Sequence, residues 1–176
     1  DVAAVARLVR SEGARLVTLT GPGGVGKTRL AAALSDELAA DHPAGVVQVS
    51  LAPLADASDV IATIARALGV VGTDGPDAFD GTVAHVGGAR LLLVLDNFEH
   101  LLSAAPNVAR LTSLCPDLTV VVSSRSPLRV RGEREYAVEP LLLPGPDTTT
   151  PEQLATAPAG ALLLDRARAI APRLEL

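Results

Sequence analysis

The sequence predicts an α/β fold in which a parallel sheet is covered by helices on both faces. Four continuously apolar, β-rich segments occupy 14–20, 45–51, 90–96 and 118–124, and segments with helical periodicity separate them. Strands that are apolar on both faces are typical of a parallel sheet buried between two helical layers. A short fifth strand is predicted at 134–141, so we expect three layers built on five parallel strands.

Helices are predicted wherever apolar residues recur at spacings of three and four. The predicted helices cover 2–10, 28–40, 59–68, 77–87 and 99–114. The segment at 72–77, GTDGPD, has the glycine and proline content of a loop. Because each helix joins two parallel strands, we expect right-handed crossovers.

The composition changes after Pro140. Segment 142–158 is rich in proline, threonine and glycine and is predicted to be a linker. Residues 159–176 then begin a new amphipathic helix. We therefore expect a domain over 1–141, a linker over 142–158, and over 159–176 the first helix of a truncated helical module.

Charge and composition exclude several classes of function. A net charge of −5 gives no general attraction to nucleic acid, and 2% aromatic residues provide no platform for stacking bases. No apolar run approaches the roughly 18 residues of a membrane span. The single cysteine, Cys115, excludes an internal disulfide and is expected in the core. We expect a cytoplasmic protein whose segment contacts neither nucleic acid nor membrane directly.

The stretch 21–28, GPGGVGKT, fits the pattern G-x-x-x-x-G-K-[ST] and lies between a predicted strand and a predicted helix. Glycines let the backbone turn tightly and aim N–H groups inward, and the start of the helix adds the positive end of its dipole. Lys27, the only lysine in the chain, would reach the β- and γ-phosphates. The Thr28 hydroxyl would ligate Mg²⁺. The pattern therefore predicts a nucleotide phosphate site formed by Gly21, Pro22, Gly23, Gly24, Val25, Gly26, Lys27 and Thr28.

Asp96 follows the apolar strand 91–95 and is predicted to be the second protein ligand of Mg²⁺. The alternative is a helix N-cap. Asn97 follows, where many P-loop ATPases carry a second acid, and an amide can orient water but cannot take its proton. Glu99 is the candidate catalytic base, or else an acid that stabilises the start of the next helix. Any hydrolysis of ATP is therefore expected to be slow.

Arg125 follows the fourth strand, at the carboxyl edge of the sheet where ligands bind. An arginine at this edge can read a γ-phosphate and report its loss. The predicted catalytic group is therefore Lys27, Asp96, Glu99 and Arg125. The other arginines of this region are expected to lie in a solvated loop and to pair with nearby glutamates: Arg129, Arg131 and Arg134 with Glu133 and Glu135.

Four stretches, 16–31, 91–102, 120–141 and 162–172, together resemble the NB-ARC/STAND class of signalling ATPases. More narrowly, they resemble the ATPase domain of large actinobacterial transcriptional regulators of the AfsR and LuxR types. The resemblance implies a P-loop from Gly21 to Thr28 flanked by Arg29, Asp96 as the Walker B acid, and Arg125 as the sensor arginine. It also implies a three-layer P-loop NTPase whose fourth strand lies between the first and third.

The resemblance further implies that the domain binds ATP or ADP with Mg²⁺ between an effector (DNA-binding) region and a sensor region of the same parent chain. ADP would hold a closed state, and ATP would permit self-association. The chain begins after the segment that touches adenine in the family and ends before the helical and winged-helix modules. We therefore expect the isolated fragment to bind nucleotide with weakened affinity and weakened base selectivity.

Three other interpretations remain. A P-loop small-molecule kinase would use the arginines of 125–134 as a lid. A motor-type AAA+ ATPase would usually carry an acid at position 97 and asparagine where this chain has Ser-Arg. A nucleotide-binding interaction module would hold nucleotide without hydrolysing it.

Overall fold

A computed structural model of the chain describes residues 1–71, 77–146, 148 and 150–170. The loop predicted at 72–77 therefore lies, apart from Asp77, outside the described residues. The same is true of the last six residues of the segment predicted at 159–176.

Five parallel strands form one sheet in the order β2-β3-β4-β1-β5. Their bounds are β1 Leu16–Thr20, β2 Val46–Ser50, β3 Leu91–Asp96, β4 Leu118–Ser124 and β5 Glu133–Ala137. The predicted fold class is confirmed, and so is the position of β4 between β1 and β3. Because the strands are parallel, their carboxyl ends meet at one edge, and this edge carries the site described below.

Helices pack on both faces of the sheet. Their bounds in the first part of the chain are α1 Val2–Glu12, α2 Lys27–Leu38, α3 Asp59–Ala67, α4 Ala78–Val86 and α5 Ala105–Leu114. Apolar residues of α3, α4 and α5 form one buried cluster, and those of α1 and α2 form the other. Neighbouring strand residues face opposite clusters: Leu92 points toward α2, and Leu93 points toward the opposite layer. Both side chains are fully buried, and each such leucine stabilises the fold by about 1.5–3 kcal/mol.

Cys115 lies in the core, as predicted, with no exposed surface. Burial raises the pKa of its thiol, because the thiolate would lose its hydration. The cysteine is therefore a packing residue that closes the end of α5.

Two predicted boundaries were wrong. The helix predicted from residue 99 begins only at Ala105, after a short 3₁₀ turn at Leu102–Ala104. Before the helix begins, Phe98 and Leu101 are buried in the core. Pro106 lies in the first turn of α5, where proline favours the start of a helix. The fifth strand spans Glu133–Ala137 rather than 134–141, since the proline at 140 has no N–H to continue the ladder.

The chain divides into two compact units, Asp1–Val138 and Glu139–Leu176. The second unit contains α6, Pro151–Ala155, and α7, Pro158–Ile170. The predicted linker therefore includes a short helix, which starts at a capping box in which Thr150 and Gln153 bond each other's backbone N–H groups. The predicted domain bounds themselves remain a prediction. Within the described residues, no helix combines the length and apolarity that crossing a bilayer requires.

Candidate functional site

The glycine-rich loop joins β1 to α2 at the carboxyl edge of the sheet. Gly21 has φ +149°, and a Cβ added there would lie 2.9 Å from the carbonyl oxygen of Val138. Gly24 and Gly26 have φ of +80° and +108°. Since L side chains rarely adopt these angles, the loop requires glycine at these positions to keep its curvature.

Lys27 is the first residue of α2, and its side chain folds back over the loop. Its Nζ donates to the carbonyl oxygens of Gly21 at 2.8 Å and Pro22 at 3.0 Å. Only 8% of the residue is exposed. The ammonium group is thus held at the loop, beside the positive end of the α2 dipole, where an anion is favoured.

Thr28, the next residue of α2, contacts the end of β3. Its Oγ1 donates to Oδ1 of Asp96 at 2.9 Å. The same carboxylate oxygen accepts a short hydrogen bond from the hydroxyl of Ser123 on β4. Three elements of the fold therefore converge on one carboxylate, and we call Thr28, Asp96 and Ser123 the Asp96 cluster.

The turn after β3 is fixed by the same serine. Asn97 has φ +70°, a left-handed conformation that asparagine tolerates better than most residues. Its backbone N–H donates to the Ser123 hydroxyl at 2.9 Å, and the N–H of Phe98 donates to the Ser123 carbonyl oxygen at 2.9 Å. Asn97 is thus held by its backbone beside Asp96.

Glu99 and Arg125 form an ion pair across the carboxyl edge. Nε of Arg125 lies 3.0 Å from Oε1 of Glu99, with the arginine side chain 65% exposed and the glutamate 20% exposed. The guanidinium also reaches the glycine-rich loop, where its Nη2 lies 3.6 Å from the point a Cβ on Gly23 would occupy. We call Glu99 and Arg125 the outer pair.

Arg29 is the predicted site residue that the structure does not bring to this group. It lies exposed on the first turn of α2, and among the described residues no hydrogen bond or ion pair joins it to Lys27, Asp96 or Arg125. His100 lies at the surface, with Nε2 2.8 Å from the carbonyl oxygen of Leu54.

The glutamates of β5 do not form the ion pairs predicted with the neighbouring arginines. The Glu133 carboxylate accepts the backbone N–H groups of Leu128, Arg129 and Val130, and Glu135 accepts the Thr20 hydroxyl at 2.7 Å. A loop that exposes several N–H groups in succession attracts a carboxylate more strongly than a solvated guanidinium does.

The residues of the Asp96 cluster suit Mg²⁺. They offer a carboxylate and a hydroxyl, which are hard oxygen donors, at adjacent positions. In the part of the chain that the structure describes, no group of three His, Cys, Asp or Glu side chains could hold a metal alone. Mg²⁺ bound at nucleotide sites has this character, because one or two protein ligands are completed by waters and phosphate oxygens.

Cavities lie at both edges of the sheet. One of about 290 Å³ opens beside Thr28 and Asp96 and is also lined by Gln48 and Ser50. A larger one, about 700 Å³, lies at the opposite edge near Arg15 and Arg131 and contains none of the predicted site residues. The hydroxyls that converge on Asp96 are at the carboxyl edge.

Sequence reasoning missed Ser123. Its signal was the Ser-Ser dipeptide that ends an otherwise apolar buried strand. A polar residue that is 2% exposed needs a partner, and the strand order places that partner, Asp96, on the neighbouring strand.

Solved structures with a similar fold include a Signal Transduction ATPase with Numerous Domains (STAND) protein with a tetratricopeptide repeat sensor from Pyrococcus horikoshii. It is 16% identical, with a TM-score of 0.53 over 98% of this chain and 25% of its own. Cdc6p from Pyrobaculum aerophilum is 18% identical, with a TM-score of 0.53 over 93% of this chain and 48% of its own. At these identities the likeness shows the fold alone.

The chain is also similar to curated proteins of mycobacteria. It is 40% identical over 159 residues to a protein of Mycobacterium tuberculosis named "Putative HTH-type transcriptional regulator", covering 90% of this chain and 16% of that protein. A second Mycobacterium tuberculosis protein, uncharacterised, is 38% identical over 89% of this chain and 37% of its own length. The chain thus spans only a fraction of the length of the relatives it matches.

The family assignment comes from residues 9–130, which match the AAA domain. This match covers most of the chain, including the glycine-rich loop, Asp96 and Arg125. It is broader than the NB-ARC/STAND resemblance, whose finer subdivision remains a prediction. With the parallel sheet, the loop and the carboxylate in the arrangement described above, the chain belongs to the AAA domain family of P-loop ATPases.

Proposed function

We propose that this chain is the Mg²⁺-dependent ATP- and ADP-binding module of a transcriptional regulator, in which the bound nucleotide sets the state of flanking DNA-binding and sensor regions. The observation that carries the proposal is the 2.9 Å hydrogen bond between Thr28 and Asp96. It brings a helix-borne hydroxyl and a strand-borne carboxylate together next to a lysine held at a glycine-rich loop.

Each group has a role that follows from its chemistry. The N–H groups of the loop and Lys27 would bind the phosphates, and Thr28 and Asp96 would hold Mg²⁺. When bound, Mg²⁺ neutralises the charge of the phosphate oxygens. The outer pair lies at the same edge, where Arg125 would contact the γ-phosphate of ATP but not ADP.

A nucleotide can switch such a module only through contacts that differ between two states. The outer pair offers such a difference. In this structure Arg125 binds Glu99, and a γ-phosphate would compete for the same guanidinium. Transfer of Arg125 to the phosphate would leave Glu99 free to accept a proton from an attacking water. Hydrolysis is expected to be slow because Asn97, which stands where many P-loop ATPases have an acid, cannot take that proton.

The subgroup, the effector region and self-association are further parts of this proposal. They follow from the resemblance to NB-ARC/STAND proteins of the AfsR and LuxR types and from a relative named as an HTH-type regulator. A nucleotide-binding module without hydrolysis is the second candidate. It is favoured by Asn97 in place of an acid and by the ion pair that occupies Glu99.

The deciding experiment is single-turnover hydrolysis of ATP with Mg²⁺ by the full-length parent protein, measured beside nucleotide binding for wild type, Lys27→Ala and Glu99→Gln. We expect Lys27→Ala to abolish binding, and Glu99→Gln to bind while hydrolysis falls about 10²- to 10⁴-fold, the usual contribution of a general base. Glu12→Gln, an exposed acid at the end of α1, is the matched control. Binding without turnover in wild type would select the non-hydrolytic candidate, and absence of binding would refute both.

A further inference from the structure

Ser123 is the most constrained polar residue of the site, and none of the roles given so far requires it. It is 2% exposed, and its hydroxyl bonds Asp96 at the end of β3 and the backbone N–H of Asn97 in the turn that follows. The β3–β4 ladder pairs Leu95 with Val122, so the next residues along the two strands are Asp96 and Ser123. The serine is therefore placed beside the carboxylate by strand register rather than by a mobile loop.

The hydroxyl of Ser123 has a donor and an acceptor role at once. It donates to Oδ1 of Asp96 and accepts from the backbone N–H of Asn97 at 2.9 Å. Because the Asn97 bond uses a lone pair of the hydroxyl, the hydroxyl hydrogen is left to point toward the carboxylate. The direction of the bond to Asp96 is thus set by the backbone.

The two hydroxyls that donate to Oδ1 of Asp96 belong to Thr28 and Ser123, and they differ in their expected relation to Mg²⁺. Thr28 would itself become a ligand of the metal through its hydroxyl oxygen. Ser123 lies in the strand layer and can keep its bond. A residue that hydrogen-bonds a metal-binding carboxylate fixes its orientation, and its loss typically costs 10- to 100-fold in metal affinity.

We propose that Ser123 is the positioning residue of the Mg²⁺ site: its hydroxyl sets the orientation of the Asp96 carboxylate and so determines the Mg²⁺ affinity of the nucleotide complex. The proposal rests on the proposed function, because it assigns a further residue to the same site. The chain at the end of β4 then makes two contacts near the end of β3: Ser123 bonds Asp96, and Arg125, just after β4, pairs with Glu99 in the turn after β3.

The test is a Mg²⁺ titration of ADP binding by calorimetry, with EDTA as the metal-free reference. The variants are Ser123→Ala, Ser123→Thr and the matched control Ser124→Ala. Ser124 is equally buried, but among the described residues its hydroxyl accepts just the N–H of Ser126, at 3.2 Å. Thermal melting of each variant shows whether it folds.

We expect Ser123→Ala to bind ADP in EDTA as wild type does and to need about 10-fold more Mg²⁺ for half-maximal enhancement of affinity. Ser123→Thr, which keeps the hydroxyl, should restore the Mg²⁺ requirement to within about threefold of wild type. Ser124→Ala should match wild type. If Ser123→Ala does not fold, Ser123→Cys, with its weak S–H donor, should show the same displaced titration.

Two results would overturn the proposal. One is a Ser123→Ala titration equal to that of Ser124→Ala. The other is an equal loss of ADP affinity with and without Mg²⁺, which would make Ser123 a general structural residue. Failure of the proposed function looks different, because wild type itself would then show no Mg²⁺-dependent binding of ADP.

Discussion

The Asp96 cluster and the outer pair lie at the same edge of the sheet but are built in opposite ways. In the cluster, one carboxylate oxygen accepts two hydroxyls from two different elements, and the serine among them is also bonded to the backbone. The outer pair is a single ion pair at 3.0 Å whose arginine is 65% exposed. Exposed pairs of this kind contribute about 0–1 kcal/mol.

This difference indicates that the Asp96 cluster holds a fixed geometry, whereas the outer pair can exchange its partner. A metal site gains from ligands that are already in place. A sensor gains from a contact that costs little to exchange, because the ligand then need not replace a strong bond. The Asp96 cluster and the outer pair satisfy these requirements two residues apart, at Ser123 on β4 and at Arg125 just after the strand.

The largest effect is expected from substituting Asp96, which accepts both hydroxyls of the Asp96 cluster. Asp96→Asn keeps the shape of the side chain but removes the charge that Mg²⁺ requires. We expect the Mg²⁺-dependent part of ADP affinity to fall about 100-fold or more, since even a partner of a metal ligand is worth 10- to 100-fold. Calorimetry with and without Mg²⁺ measures this.

Asp36→Asn on the exposed face of α2 is the control for the loss of one negative charge. If Asp96→Asn keeps the wild-type response to Mg²⁺, then Asp96 has a structural role only. The Asp96 cluster would then not be a metal site, and its contrast with the outer pair would be refuted.

A smaller and more selective effect is expected from the outer pair. Arg125→Ala should weaken ATP binding about 10-fold more than ADP binding, because a charge-assisted hydrogen bond to the γ-phosphate is lost. The ratio of the two affinities is the measurement, and Arg131→Ala provides a control on the same loop. Equal losses for ATP and ADP would mean that Arg125 supports the loop near Gly23 instead of sensing the γ-phosphate.

The smallest effect concerns the stability of the nucleotide-free chain. A double-mutant cycle of Glu99→Gln and Arg125→Gln, followed by urea unfolding, should give a coupling below about 1 kcal/mol that decreases further in salt. A coupling of about 2 kcal/mol or more would show that the pair is structural and unsuited to exchange.

Much of the fold could be predicted because a strand that is buried on both faces of the sheet has a predominantly apolar sequence. β1, β3 and β4 are predominantly apolar and fully buried along almost their whole length, and their predicted bounds agree with the structure within two residues. The position of β4 between β1 and β3 came from a family resemblance, since strand order depends on contacts between distant segments. The late start of α5 was missed because residues 98–101 have helical spacing, yet they pack into the core before the helix begins.

The site was predictable to the extent that its chemistry is contiguous in sequence. Residues 21–28 carry their own pattern, and Asp96 ends a recognisable strand. Ser123 and the pairing of Glu99 with Arg125 depend on which strands are neighbours, and no local pattern encodes that. The β5 glutamates show the same limitation, because their partners are backbone N–H groups that have no signature in the side-chain sequence.

The position of β1 between β4 and β5 has a consequence for the order in which the domain can assemble during synthesis. Its two neighbours in the sheet, β4 and β5, both come from far downstream: Leu16 is in register with Val120 on one side and with Glu133 on the other. At about 5–20 residues per second, a ribosome needs at least roughly five seconds after synthesising β1 to supply either neighbour. Until then the glycine-rich loop has no sheet to anchor it, and Gly21 has no Val138 against which to close. The nucleotide site is therefore among the last parts of this unit to assemble, although its defining residues are among the first to be translated.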